Sequence, residues 1–320
     1  MNVLMTGATG FVGSAVAHQM IASGEYDVVA AVRRESNVLP NKVRQVVTGD
    51  LLPNTDWNQA LRGVNVVIHL AARVHVMEDD AADPLAEFRN VNSEGSLNLA
   101  RQAAQAGVKR FIFMSSIKVN GEQTTGGSLF TPNDTYMTTD PYGQSKLEAE
   151  QGLVVLAKET GMEVVIIRPP LIYGPDVKAN FRQLLKFTKL GIPLPFGAVQ
   201  NKRSLVALDN LVNFIIHSMT HPKAANEVFL ISDGEDVSTT ELLKKIAKGF
   251  GKKPRLLPIP TGFMTLAAKL LGKSSVAGRL FGSLQVDSSK ARELLDWKPV
   301  ITMDEQLKKT VEAYNNETSV

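Results

Sequence analysis

Tyr142 and Lys146 are the residues of this sequence best matched to proton transfer at an alcohol or ketone. Four positions apart, they share one face if the segment is helical. Asp140 followed by Pro141 is an N-cap acid before a proline at the first helical position, so a helix is expected to begin there. A phenol titrates near ~10 in water, and a neighbouring ammonium favours its ionised form, moving it towards the pH at which it exchanges a proton with substrate. Chance alone places many such pairs on helix surfaces. This pair gains meaning from Arg110–Ser115, a strand-like run just upstream that leads into Ser116. A serine at the C-terminal end of a parallel strand lies on the ligand edge of the sheet, where Ser116 can hydrogen-bond the reacting oxygen.

A second chemical feature is Thr6-Gly7-Ala8-Thr9-Gly10-Phe11-Val12-Gly13, placed where a strand ends and a helix begins. Gly7 permits the tight turn, Gly10 the approach of a pyrophosphate, and Gly13 close packing of helix on sheet. With Thr9, Phe11 and Val12, these residues are expected to hold a dinucleotide whose phosphates face the helix's N-terminal amides. About 20 residues further on, an acid would grip the ribose hydroxyls of NAD. Here the second strand ends in Arg33-Arg34-Glu35-Ser36. Arginines suit a 2′-phosphate, so the reading favours NADP(H) and keeps NAD(H) as the alternative, with Glu35 complicating the choice.

These residues need a scaffold, and the pattern supplies one. Strand-like runs at 2–6, 27–32, 44–47, 65–70, 110–115 and 163–168 alternate with helical stretches such as Val12–Ser23 and Leu85–Ala106. The alternation predicts an α/β fold with a doubly wound parallel sheet, a Rossmann fold. The Pro- and Gly-rich stretch 169–175 breaks the rhythm, and a second such cluster lies at 191–197. A smaller mixed α/β substrate domain is therefore expected, interleaved with the first: residues 1–172 with 204–231 for the nucleotide, and 173–203 with 232–320 for the substrate. Runs at 205–208 and 228–231 are expected to rejoin the main sheet. Helical spacing is read at 239–250, 261–271, 288–295 and 304–314.

Composition narrows the function classes. The 320 residues carry a net charge of +3, which gives no basic stripe for nucleic acid or membrane-surface helix. No apolar run reaches the length of a spanning helix, so no membrane insertion is expected. Cysteine is absent, and the five histidines, His18, His69, His75, His217 and His221, lack metal-ligand spacing. No metal is expected, and His69 and His75 are read as structural. The N-terminus lacks a basic leader region and reads as a first strand, which points to a cytoplasmic protein.

Taken together, these residues resemble the extended short-chain dehydrogenase/reductase family, in particular its nucleotide-sugar branch, over almost the whole chain. The resemblance rests on the glycine loop, Gly49-Asp50-Leu51, His69-Leu70-Ala71-Ala72, Asn92-x-x-Gly95, Ser116, Tyr142 with Lys146, and Arg168-Pro169 with Tyr173-Gly174-Pro175. It implies that Asp50 and Leu51 flank the adenine and that Leu70, Ala71 and Ala72 line the middle of the cofactor. It places Asn92 among the cofactor residues and makes Ser116, Tyr142 and Lys146 the catalytic triad, with Lys146 also holding the nicotinamide ribose. Pro169 leads into the nicotinamide-proximal loop. More loosely, Asn180, Arg203 and Arg279 would hold the diphosphate of a UDP-sugar. Family members often dimerise through two long helices, here 85–106 and 141–160, so a homodimer is expected.

The resemblance also sorts the reactions. The 4,6-dehydratases of the family place an Asp-Glu pair after the catalytic hydroxyl; this chain has Ile117 and Lys118, so dehydration is disfavoured and Lys118 has no role in the reading. Typical epimerases have a tyrosine where this chain has Asn120. That difference and the two arginines favour NADPH-dependent reduction of a UDP-4-keto-6-deoxy-hexosamine, towards UDP-N-acetylquinovosamine or its C4 epimer, in surface polysaccharide synthesis. The alternative is a UDP-hexose 4-epimerase with tightly bound NAD. A non-catalytic NADP(H) sensor would not need the Tyr/Lys pair, and an apolar-ketone reductase would want an apolar pocket in place of Asn180, Arg203 and Arg279.

Overall fold

The computed structural model describes residues 1–74, 83–134, 138–272 and 274–318; His75 lies outside them. Seven strands, β1 (Asn2–Thr6), β2 (Asp27–Val32), β3 (Arg44–Val47), β4 (Val66–His69), β5 (Arg110–Met114), β6 (Glu163–Arg168) and β9 (Glu227–Leu230), form one sheet in the order β3-β2-β1-β4-β5-β6-β9. Every pairing in it is parallel. Strands covered on both faces can be apolar throughout, which is why β1 and β5 read as continuous hydrophobic runs.

α1 (Phe11–Ser23) and α6 (Leu208–Thr220) cover one face, burying Val16, Met20, Leu211 and Ile215 against Val3, Met5 and Ile112. α3 (Ser96–Gln105) and α4 (Pro141–Thr160) cover the other, with Leu99, Ala103 and Leu153 against Leu4, Val67 and Phe111. The strand order runs outward in opposite directions from β1 and β4. A crevice therefore opens at their C-terminal ends, the usual place for a ligand in such a sheet.

Two sequence expectations are corrected. The spacing predicts one helix over 85–106, whereas the chain forms α2 (Pro84–Phe88), a π-helical turn (Arg89–Gly95) and then α3. The cause is local: Asn92 is pulled inward by hydrogen bonds to Arg73 and Ser145, and Gly95 lies against Leu51, where a Cβ would come within 2.8 Å of the Leu51 carbonyl oxygen. The run at 205–208 does not rejoin the main sheet. It belongs to β8 (Arg203–Ala207), which pairs in parallel with β7 (Leu171–Tyr173) and antiparallel with β10 (Asp236–Val237) in a separate three-stranded sheet. Periodicity marks a strand and says nothing of its partner.

Around the small sheet lie α5 (Ala179–Leu190), α7 (Thr239–Gly249) and α11 (Met303–Glu317). Tyr173, Phe181, Leu205, Leu242, Leu307 and Val311 form a second core there. α8 (Thr261–Leu270), α9 (Ser274–Phe281) and α10 (Ser289–Leu295) complete the chain. α7 and α11 each begin with a capping box, Ser238 with Glu241 and Thr302 with Glu305, which satisfies end amides that would otherwise lack partners.

Candidate active site

A cleft of about 820 Å³ occupies the crevice. Gly7 stands at its centre with φ +67°, and a Cβ there would lie 2.7 Å from the Ala71 amide nitrogen, so both its backbone and the approach of the next strand require glycine. A Cβ on Gly13 would overlap the Gly7 carbonyl, so Gly13 is what lets α1 start so close to β1. Gly10 caps α1 in an extended conformation, with no side-chain cap and no acid in the first turn. The first amides of α1 are thus left for an anion.

From the sequence-derived nucleotide residues, Gly7, Thr9, Gly10, Phe11, Val12, Gly13, Arg33, Asp50, Leu51, Leu70, Ala71, Ala72, Tyr142, Lys146 and Pro169 all line the cleft, as does Ser116. Two others do not. Arg34 is exposed outside it, and Asn92 is buried behind it, bracing the Arg73 main chain to Ser145 of α4. Sequence reasoning missed Ala31, Val32, Trp57, Met114 and Ile172, whose apolar side chains gave no chemical signal. Trp57 is informative: its indole N–H is buried in the cleft wall with no partner among the described residues. An orphaned donor, an uncapped helix start and a glycine cradle in one elongated cleft fit a dinucleotide.

Among the described residues Arg33 pairs with Asp50, at 3.8 Å, and both are well exposed. The residue read for a 2′-phosphate and one expected to flank the adenine therefore face one another on the cleft. Among the described residues no group of His, Asp and Glu converges as a metal site.

At the inner end, Ser116 follows β5 and caps a short 3-10 turn (Ile117–Val119), its Oγ accepting from the Lys118 amide at 3.3 Å. The Asp140 carboxylate caps α4 by accepting from the Gly143 amide at 2.8 Å, and Lys118 donates to the same carboxylate at 2.8 Å. Lys118 thereby acquires a place: it ties the Ser116 turn to the start of the Tyr142 helix, with its ammonium 5.8 Å from the Tyr142 ring centre. Ile117 is buried in an apolar cluster with Leu230, Leu284 and Val286.

The electrostatics correct one expectation. The Tyr142 phenol is pushed up to about 12, chiefly by burial, with the Asp140 carboxylate adding and a hydrogen bond with Ser116 opposing. Lys146 does not offset this, because its Nζ donates to the Met114 carbonyl at 2.8 Å and sits 4.4 Å from the Phe113 ring centre. Burial also brings Lys146 itself down to about 7, against the pull of the Glu150 carboxylate. Desolvation outweighs the charge pairing on which the spacing argument relied.

Glu150, one turn beyond Lys146, accepts from Arg168 Nη2 at 2.6 Å and from the Ser115 hydroxyl; Arg168 Nη1 donates to Asn120 Oδ1 at 3.1 Å. Asn120 Nδ2 in turn donates to the Thr131 carbonyl at 2.7 Å, so the residue that distinguishes this chain from typical epimerases is a structural bracket. His69 is another: Thr6 Oγ1 lies 2.6 Å from Nδ1 and Ser96 Oγ 2.8 Å from Nε2, and burial drives its pKa down to about 3.

The three substrate candidates lie outside the cleft. Asn180 is exposed in the first turn of α5, and Arg279 is exposed on α9. Arg203 is partly buried on β8, its Nη1 donating to the Gly282 carbonyl at 3.0 Å. Burial lowers its pKa, and it has no acidic partner among the described residues.

A seven-stranded parallel sheet with a glycine cradle, and a Ser, Tyr, Lys trio at the inner end of one cleft, define a nucleotide-dependent short-chain oxidoreductase of the extended type. The chain belongs to the NAD dependent epimerase/dehydratase family, whose model matches residues 3–232. It is 49% identical over 314 residues to a UDP-glucose 4-epimerase of Vibrio cholerae, covering 98% of this chain and 95% of that one. It is 30% identical to the N-acetyl-alpha-D-glucosaminyl-diphospho-ditrans,octacis-undecaprenol 4-epimerase of Escherichia coli O157:H7, covering 90% and 88%. Among solved structures, UDP-glucose 4-epimerase of Thermotoga maritima with UDP-glucose superposes with a TM-score of 0.77 at 26% identity, covering all of both chains. The protein is thus an enzyme of the nucleotide-sugar type that uses a nicotinamide cofactor, and the epimerase alternative fits its relatives better than the ketoreductase reading.

Proposed function

We propose that the protein is a UDP-sugar 4-epimerase that retains NAD through the catalytic cycle. The observation that carries the reading is the trio Ser116, Tyr142 and Lys146 on the inner wall of the cleft with no carboxylate pair beside it, Ile117 being buried and Lys118 bound to Asp140. Such a site is equipped to move a hydride and a proton and lacks the acid and base that eliminating water would need.

NAD, when bound, would supply reversible hydride transfer at C4. The chain's own residues do the rest. Once ionised against the burial that raises its phenol, Tyr142 takes the C4 hydroxyl proton and later gives it back, Ser116 holds the same oxygen through its Oγ, and Lys146 Nζ fixes the ribose side. Gly7, Thr9, Gly10, Phe11, Val12 and Gly13 would carry the pyrophosphate, Asp50 and Leu51 the adenosine, and Leu70, Ala71, Ala72 and Pro169 the nicotinamide half. Arg203, a partly buried cation without a carboxylate partner among the described residues, is the best supported of the diphosphate contacts; Asn180 and Arg279 are the other two candidates.

The test is interconversion of UDP-glucose and UDP-galactose, and of their N-acetylhexosamine counterparts, without added nicotinamide, together with identification of the nucleotide released on denaturation. Turnover with released NAD is the expected result. A second reading, NADPH-dependent 4-ketoreduction in surface polysaccharide synthesis, is favoured by one observation: Arg33 lines the outer end of the cleft. Stoichiometric NADPH consumption with UDP-4-keto-6-deoxy-N-acetylglucosamine, and no epimerisation, would replace the first reading with the second.

A further inference from the structure

The helix α8 inverts the usual order of a folded surface, for none of its residues is buried. Phe263, Leu266, Leu270 and Leu271 are 71%, 57%, 80% and 72% exposed. Positions 263, 266 and 270 fall on one stripe of a helix, which a protein normally turns towards its core. The charge of this region is equally one-sided. Residues 251–286 hold six of the chain's 35 Lys and Arg and none of its 32 Asp and Glu, so the rest of the protein carries a small net negative charge. Lys252, Lys253 and Arg255 precede the helix and are exposed; Lys269 borders the stripe. No acidic partner meets these four cations among the described residues, and Lys252 donates instead to the Lys189 carbonyl.

An apolar stripe in a segment whose only charges are cations matches the interface of an anionic bilayer, where side chains such as Phe and Leu enter the acyl boundary and Lys and Arg meet headgroup phosphates. We propose that α8 and the basic run before it dock this protein onto an anionic lipid surface. A fluid surface needs no shape complementarity, which suits a stripe left exposed on a helix whose main neighbour is α9. A second copy of the chain fits less well, because a self-matched contact would bring like charges together. The chain leaving α9 is stitched to the segment that follows Ser116, with Thr124 pairing with Ser283 and Phe130 with Val286. Docking would therefore orient the reaction end of the molecule with respect to the bilayer.

The experiment is flotation of the full chain with vesicles of phosphatidylcholine and phosphatidylglycerol. The wild type is expected to float with the mixed vesicles, to be released by salt, and to stay behind with pure phosphatidylcholine. Leu266→Asp with Leu270→Asp should abolish flotation, and each of Lys252→Ala, Lys253→Ala and Arg255→Ala should weaken it about fivefold. These side chains are exposed, so an unchanged unfolding temperature serves as the control. Failure to float with anionic vesicles would overturn the proposal, as would equal flotation of the double variant. A wild-type dimer that the double variant dissociates, without vesicle binding, would assign the stripe to a second copy and overturn it equally. No sugar enters the assay, so it stands or falls apart from the epimerase reading.

Discussion

α4 and α8 exchange the roles that hydropathy would give them. α4 buries Lys146 and Glu150, two residues normally found in water, while α8 exposes Phe263, Leu266 and Leu270, with Leu271 just beyond its end. The difference lies in partners. Each buried charge of α4 meets a group that answers it: Lys146 the Met114 carbonyl, Glu150 the Arg168 guanidinium and the Ser115 hydroxyl. The apolar stripe of α8 is left largely uncovered among the described residues. Burial thus follows from what a neighbouring element offers, and a helix is placed by its contacts more than by its composition.

The largest break in that comparison should come from Glu150→Ala. It would leave the Arg168 guanidinium buried without its carboxylate, at a cost of about 3–5 kcal/mol read from urea denaturation; a loss under ~1 kcal/mol would mean that water already enters this cluster. Next in size is Tyr142→Phe, expected to lower turnover at least ~100-fold with cofactor and sugar still bound. Near-normal turnover would remove Tyr142 from the chemistry.

A third effect is a pH slope. Lys146 titrates at about 7 in the folded protein and at 10.5 when unfolded. Between these values the unfolded chain holds the extra proton, so the stability of cofactor-free protein should rise with pH across that window, by about 1.4 kcal/mol per unit. Lys146→Met should flatten the slope, and an unchanged slope would place its source elsewhere. His69, held at about 3 against 6.5 unfolded, adds a similar rise at lower pH, so stability should fall as acid is added below 6.5. The smallest effect is expected at α8: Phe263→Ser should change stability by no more than ~0.5 kcal/mol in thermal unfolding, and a larger loss would show that the helix is anchored after all.

Much of the nucleotide half was legible because its signals are local. Gly7, Gly10 and Gly13, the apolar runs of β1, β4 and β5, and the Asp140-Pro141 helix start each carry their meaning in a few neighbouring residues. The rest depends on contacts between distant segments. β8 shows its strand character in sequence but not its pairing with β7 and β10. Lys118 has no role until Asp140 is brought to it, and Asn120 counts as a mark against epimerisation until Arg168 is seen to hold it. Net charge concealed the cations of 251–286, because an acidic remainder cancels half of their charge.

The π-helical turn Arg89–Gly95 has a consequence for the whole layer behind the sheet. A wider turn holds an additional residue, and each residue of an α-helix advances the side chains by about 100°. The turn therefore acts as a phase shifter: it lets Asn92 point inward to the cleft wall while Leu99 and Ala103 still face the core. Deleting a single residue there would rotate the inward-facing positions of α3 by roughly a quarter turn. The cleft and the core on that side are thus locked to a common angular setting by seven residues that carry no chemistry of their own.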